Sequence, residues 1–162
     1  MKKIIKSEEE VKKILGIKDF RKLSKKKVIE FASLLPNMNK EVAKSVIAQF
    51  PKYSDMANNI VSYFSKVCTV ALEKGTDSTK ESINSYIIIL DSLKEQLEDK
   101  NLSFEQQEKI TNKMIEIADK IAKLDAEHKN FIKDIMKGLG GIALVGLGFA
   151  GAILGVNLNK KS

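Results

Sequence analysis

The chain has 162 residues and a formal net charge of +7, enough for one core with an appended segment but not for a second large domain. Two prolines and frequent Lys, Glu, Ile and Leu favour helices and starve a sheet of turns, so the expected class is all-α. The single cysteine, Cys68, excludes an internal disulfide, and Met1-Lys-Lys-Ile-Ile-Lys lacks the apolar run of a secretory signal, which predicts a cytosolic body.

In chain order, Ser7 followed by Glu10 predicts a capping box opening a first helix that Gly16 ends. A second helix starting at Asp19 or Ser24 runs through Val28, Phe31, Ala32 and Leu35 to its stop at Pro36. Asn39 caps a third, which carries Val42, Val46, Ile47 and Phe50 as far as Pro51. These three are short, and their apolar faces must pack on something longer.

Long helices follow. The stripe Met56, Ile60, Tyr63, Val67 and Val70 predicts a helix from about Ser54 to Lys74, with Gly75 as its C-terminal residue. Ser78 with Glu81 marks the next start, and Ile83, Tyr86, Ile87, Leu90, Leu93 and Leu97 form its buried stripe to about Lys100. The turn Lys100-Asn-Leu-Ser103 is short enough to make the following helix antiparallel. Ser103 with Gln106 opens that helix, striped by Ile110, Met114, Ile117, Ile121, Leu124, His128, Phe131 and Ile135. The same alternation continues through Gly138, Ile142, Val145, Phe149, Ala152 and Val156. Gly138, Gly140 and Gly141 predict a hinge between body and tail, because each glycine weakens a helix by about 0.8–1 kcal/mol relative to Ala.

The expected architecture is therefore a helical bundle with three short N-terminal helices, long antiparallel helices and a C-terminal apolar helix of membrane type. Residues 1–137 form the cytosolic bundle and residues 138–162 the membrane segment. From Gly138 to Asn159 there are 22 residues without a charge, about 33 Å as a helix against roughly 30 Å of bilayer hydrocarbon. Insertion is close to balanced. Nine Leu, Ile, Phe and Val residues between 138 and 156 contribute about −3 to −5 kcal/mol, and the glycines erode that. Lys129, Lys133 and Lys137 on the near side, against Lys160 and Lys161 beyond it, orient a single span with its N-terminal body in the cytoplasm.

Within the segment, Gly146-Leu-Gly148-Phe-Ala-Gly151 matches a dinucleotide-binding fingerprint, but no acidic residue follows Asp134 to hold a ribose, so no cofactor is expected. The same glycines suit a helix surface. Gly151 with Gly155, Gly146 with Ala150, and Gly148 with Ala152 give the small-xxx-small spacing of packed membrane helices, and hence a homo-oligomer through this face.

Charge divides the chain. Residues 1–27 carry a net +7, residues 28–137 a net −2. A basic N-terminal arm attracts polyanions, of which an anionic leaflet is the best match beside a membrane segment. Nucleic acid ranks last as a partner, because 27 of the 28 cations are Lys and lack the planar fork of Arg. Glu116 with Lys120, Asp119 with Lys123 and Asp125 with Lys129 read as supporting pairs on an exposed helix face. His128, the one histidine, occupies a core-stripe position, where it sets helix register or acts as a pH switch. Cys68 lies within a helix with no histidine beside it, which predicts an inert buried thiol. Neither a metal ligand set nor a nucleophile and base pair is evident.

The run Leu23-Ser-Lys-Lys-Lys-Val-Ile-Glu-Phe-Ala-Ser-Leu-Leu-Pro36, the run Val46-Ile-Ala-Gln-Phe-Pro51 and the charged helix leading into a Gly-rich apolar tail resemble small helical proteins of low-GC Gram-positive bacteria. That resemblance implies the architecture and no activity. The expected function is a non-enzymatic, membrane-anchored interaction or assembly protein with membrane lipid, further copies and an unknown protein as partners. A membrane-permeabilising effector inserting several tails, as in a toxin or an antiphage cell-death protein, is the alternative. A soluble basic nucleic-acid-binding module comes third.

Overall fold

A computed structural model of the chain describes residues 4–75 and 77–127. Among them are six α-helices: α1 (Glu8–Leu15), α2 (Lys25–Leu34), α3 (Lys40–Ile47), α4 (Tyr53–Lys74), α5 (Asp77–Gln96) and α6 (Phe104–Glu127). A single 3-10 turn, Leu35–Asn37, joins α2 to α3 and contains Pro36. The class is all-α. Among the described residues the one extended pairing is an isolated parallel bridge between Ile5 and Met38. There Ile5 N–H donates to Asn37 O (2.8 Å) and Asn39 N–H donates to Ile5 O (2.9 Å), so Ile5 is fixed at the mouth of α3.

Caps set most helix ends. Glu10 N–H donates to Ser7 Oγ, while Lys6 N–H donates to Glu10 Oε1. At the other end of α1, Gly16 adopts φ 68°, and Ile17 N–H and Gly16 N–H return to Lys12 O and Lys13 O in a Schellman turn. Ser24 rather than Asp19 caps α2, and Asn39 Oδ1 accepts from both Glu41 and Val42. Ser103 and Gln106 exchange both bonds of a full capping box, 2.7 Å and 3.1 Å.

Two expected ends differ. Gly75 does not enter the left-handed region; its φ is −86° and its ψ 166°. Glycine is needed there for space, since a Cβ would lie 2.5 Å from Thr79 Oγ1 and 2.9 Å from Ala71 O. The α5 helix begins at Asp77, so Ser78 sits inside its first turn rather than at its cap.

The α4 helix is the centre of the core. Met56, Ile60, Tyr63 and Val67 are buried as the stripe predicts, and so are Ala57, Val61, Phe64, Cys68 and Ala71. This second row is as wide as the first because α4 is covered on one side by α5 and on others by α2 and α6. Two of the three short helices pack on the long ones, α2 on α4 and α3, with the 3-10 turn, on α6; α1 packs mainly on α2 and α3. Ile110, Met114, Ile117, Ile121 and Leu124 are all buried along α6.

Helix directions follow from the connections. Only two residues separate α4 from α5, and the pair packs along its length, so α5 runs back along α4. The turn over residues 97–103 reverses the chain again. The α6 helix therefore runs parallel to α4, with both starting at one end, where Tyr53 OH donates to Gln107 O at 2.8 Å and lies 2.8 Å from Thr111 Oγ1.

Candidate interaction surface

Residues 12–27 hold seven lysines and Arg21 against Asp19 alone, a net charge of +7. They form no loose arm. Val11, Leu15 and Phe20 are buried, which fixes α1, the following loop and the start of α2 to the bundle. Lys27 ties this junction together: its Nζ donates to Leu15 O at 2.6 Å and lies 3.1 Å from Oε1 of Glu30, a carboxylate only 4% exposed. The Nζ is close enough for an ion pair with Glu30 but out of line for a hydrogen bond. Glu8 fastens α1 to α3 in the same way, accepting from Ser45 and from Gln49 Nε2; these bonds, Ser45 first, lower its pKa.

The remaining cations face solvent. Arg21 holds Asp19 in a fork, with Nη2 2.8 Å from Oδ2, and those hydrogen bonds bring the Asp19 pKa down to about 2. Lys12 lies 5.5 Å from the centre of the Phe20 ring. Lys13, Lys18, Lys22, Lys25 and Lys26 are exposed and make no ion pair among the described residues. The first turn of α2 is Lys25-Lys26-Lys27 with no acid. Cations there oppose the helix dipole at roughly 0.3–1 kcal/mol each. Local stability does not explain this charge, so it is a property of the surface.

Beside these lysines is a groove of about 190 Å³ where the loop after α1 meets the start of α4. Its floor is aromatic and apolar. Phe20 stacks on Phe50 with centroids 6.4 Å apart, and Phe50 tilts against Phe31 at 5.6 Å. Met56, Val28, Leu23 and Pro51 complete the floor; Arg21, Lys25, Lys52, Asp55 and Asn59 stand around it. Its place follows from Lys52 and Asp55, which flank Tyr53 at the end where α4 and α6 begin. From Gln107, opposite Tyr53, the helix runs a further 20 residues to Glu127, roughly 30 Å along its axis. The groove and its cations thus occupy one end of the bundle, and α6 ends at the other.

Cys68 is buried, and desolvation pushes its thiol up to about 12, opposite to the shift of a reactive cysteine. Among the described residues no three His, Cys, Asp or Glu side chains gather as a metal site. The expected pair of Glu116 with Lys120 does not form. Glu116 instead meets Lys113 at 3.3 Å, and Lys120 lies 5.8 Å from the centre of the Tyr86 ring across the α5–α6 contact. His128, the hinge glycines 138, 140 and 141, and the packing face of Gly146, Gly148, Ala150, Gly151, Ala152 and Gly155 lie outside the described residues, as does Lys129. No helix among the described residues is long and apolar enough to cross a membrane.

Sequence reasoning missed Phe104, which stands 78% exposed at the first position of α6. A signal was present, since Phe104 falls outside the stripe that begins at Ile110. Comparison with protein-family models, with curated proteins and with solved structures gives no match.

Proposed function

We propose that the protein is a non-enzymatic assembly protein whose helical body is held at a membrane by residues 138–162. The observation carrying this reading is the run of 22 uncharged residues from Gly138 to Asn159, long enough as a helix to match bilayer hydrocarbon. The small-residue spacing through Gly151 and Gly155 supports association of several copies in lipid. The exposed lysines of residues 12–27 give the body a basic surface that suits a polyanion, whether an anionic leaflet or an acidic partner.

Fractionation tests the anchor: the full chain is expected in membranes after carbonate washing, and a chain ending at Lys137 in the supernatant. Full-length protein in the supernatant overturns the reading. Replacing Gly151 and Gly155 with Leu is expected to reduce crosslinked oligomers in membranes. Rapid dye release from liposomes carrying the full chain replaces the anchor with the permeabilising alternative.

A further inference from the structure

We infer that two copies of the chain dock through the end at which α4 and α6 begin, each placing Phe104 in the other's groove. Phe104 is 78% exposed, yet the capping box that starts α6 uses only Ser103 and Gln106. The fold gives the ring no work. Around it the charge is negative: residues 95–108 hold five acids and Lys100, and Glu108, one turn on, shares the face of Phe104. Glu105 is engaged only with Lys109, in an exposed pair at 3.4 Å, which is weak and easily exchanged.

The groove is the complement of this knob. Its floor of Phe20, Phe50 and Met56 is apolar, and Arg21, Lys25 and Lys52 outnumber Asp55 at its rim. At about 190 Å³ it lies below the roughly 300–1,000 Å³ of pockets that enclose a small-molecule ligand, and it suits one large side chain. An aromatic anchor in an apolar slot with opposite charges at the rim is the usual form of an interface hot spot.

Knob and groove belong to one surface. Phe104 lies one turn before Gln107, which Tyr53 holds, and Tyr53 lies between Pro51, Lys52 and Asp55 of the groove. When complementary features sit side by side, a two-fold axis lets both contacts form at once, and the pair closes without growing into a filament. The contact involves the folded body alone, so it stands whether or not residues 138–162 enter lipid.

The test uses the full chain in detergent micelles, with the photoreactive residue benzoylphenylalanine in place of Phe104 and isotopically heavy and light copies mixed. The expected product joins position 104 of one copy to the groove of the other, residues 20–28 or 50–59, in heavy-light peptides. Crosslinks only within one copy, only to detergent, or to another region overturn the inference, as does a monomeric chain. Reversing the knob (Glu105→Lys with Glu108→Lys) or the rim (Lys25→Glu with Lys52→Glu) is expected to lower the intermolecular product about tenfold or more. Mixing the two reversed variants restores it, because each knob then meets an opposite rim. Failure of the mixture to recover, with both variants folded by circular dichroism, also overturns it.

Discussion

Gly16 and Gly75 both end helices, and they resist substitution for different reasons. At Gly16 the backbone is left-handed with open space where a Cβ would go; Gly16→Ala should cost about 1–2 kcal/mol from strain alone. At Gly75 the backbone is ordinary and the space is filled by Thr79 Oγ1 and Ala71 O; Gly75→Ala should cost about 1–3 kcal/mol by overpacking. A double-mutant cycle in urea separates them: Thr79→Ala should recover part of the Gly75→Ala loss and none of the Gly16→Ala loss. The sequence made both visible as helix ends. The crowding at Gly75 depends on a side chain of the next helix, which no local pattern records. Burial acts on titration as well. It raises Cys68 and Tyr53 to about 12 and lifts Tyr63 above the usual phenol value. The folded state keeps these protons longer than the unfolded chain, so their contribution is complete below about pH 9 and is lost as pH rises toward 12. Urea midpoints should therefore fall between pH 9 and 12, and fall less steeply in Cys68→Ala.

Among the elements, α2 is where charge and fold are most closely joined. Its first turn carries three lysines against the dipole, yet only Lys27 reaches inward, to Leu15 O and the buried Glu30. Lys27→Met should leave that carboxylate and carbonyl unpartnered and cost about 1–3 kcal/mol. Lys25→Met should be neutral or slightly stabilising. Converting both Lys27 and Glu30 to Met should recover much of the single loss, since apolar replacement of a buried pair is often tolerated; chemical denaturation of the four proteins measures this. Sequence reading offered Asp19 or Ser24 as the helix start and gave its apolar face; the cap formed by Ser24 decides between them. That reading could not tell Lys27 from its neighbours, because the four lysines among residues 22–27 look alike until packing decides which one faces α1. The same limit applies to α4: one apolar stripe was legible, while the second, through Val61, Phe64 and Cys68, became a core face only because three other helices cover it.

For the whole molecule, the bundle's architecture was largely written in caps and stripes, whereas its functional surface depends on how the ends of helices meet. The excess of lysine before residue 28 was plain in the sequence, but its distance from the end of α6 comes from the parallel course of α4 and α6. The packing face and hinge in residues 138–155 have no structural counterpart among the described residues. What those residues do show is a core continuous from Ile5 to Leu124, in which Phe20, Phe31, Phe64, Ile60, Leu90 and Ile110 are fully buried. Every helix from α1 to α6 contributes to that core. Because its buried side chains find partners within residues 4–127, a chain ending at Glu127 should fold alone, with one cooperative thermal transition. Its melting temperature should stay within about 5 °C of the full chain in detergent, the shift expected for roughly 1 kcal/mol in a domain of this size. A broad, non-cooperative melt of the shortened chain, with dye-binding apolar surface exposed, would mean instead that the glycine-rich tail completes the core, and the division into body and anchor would fall with it.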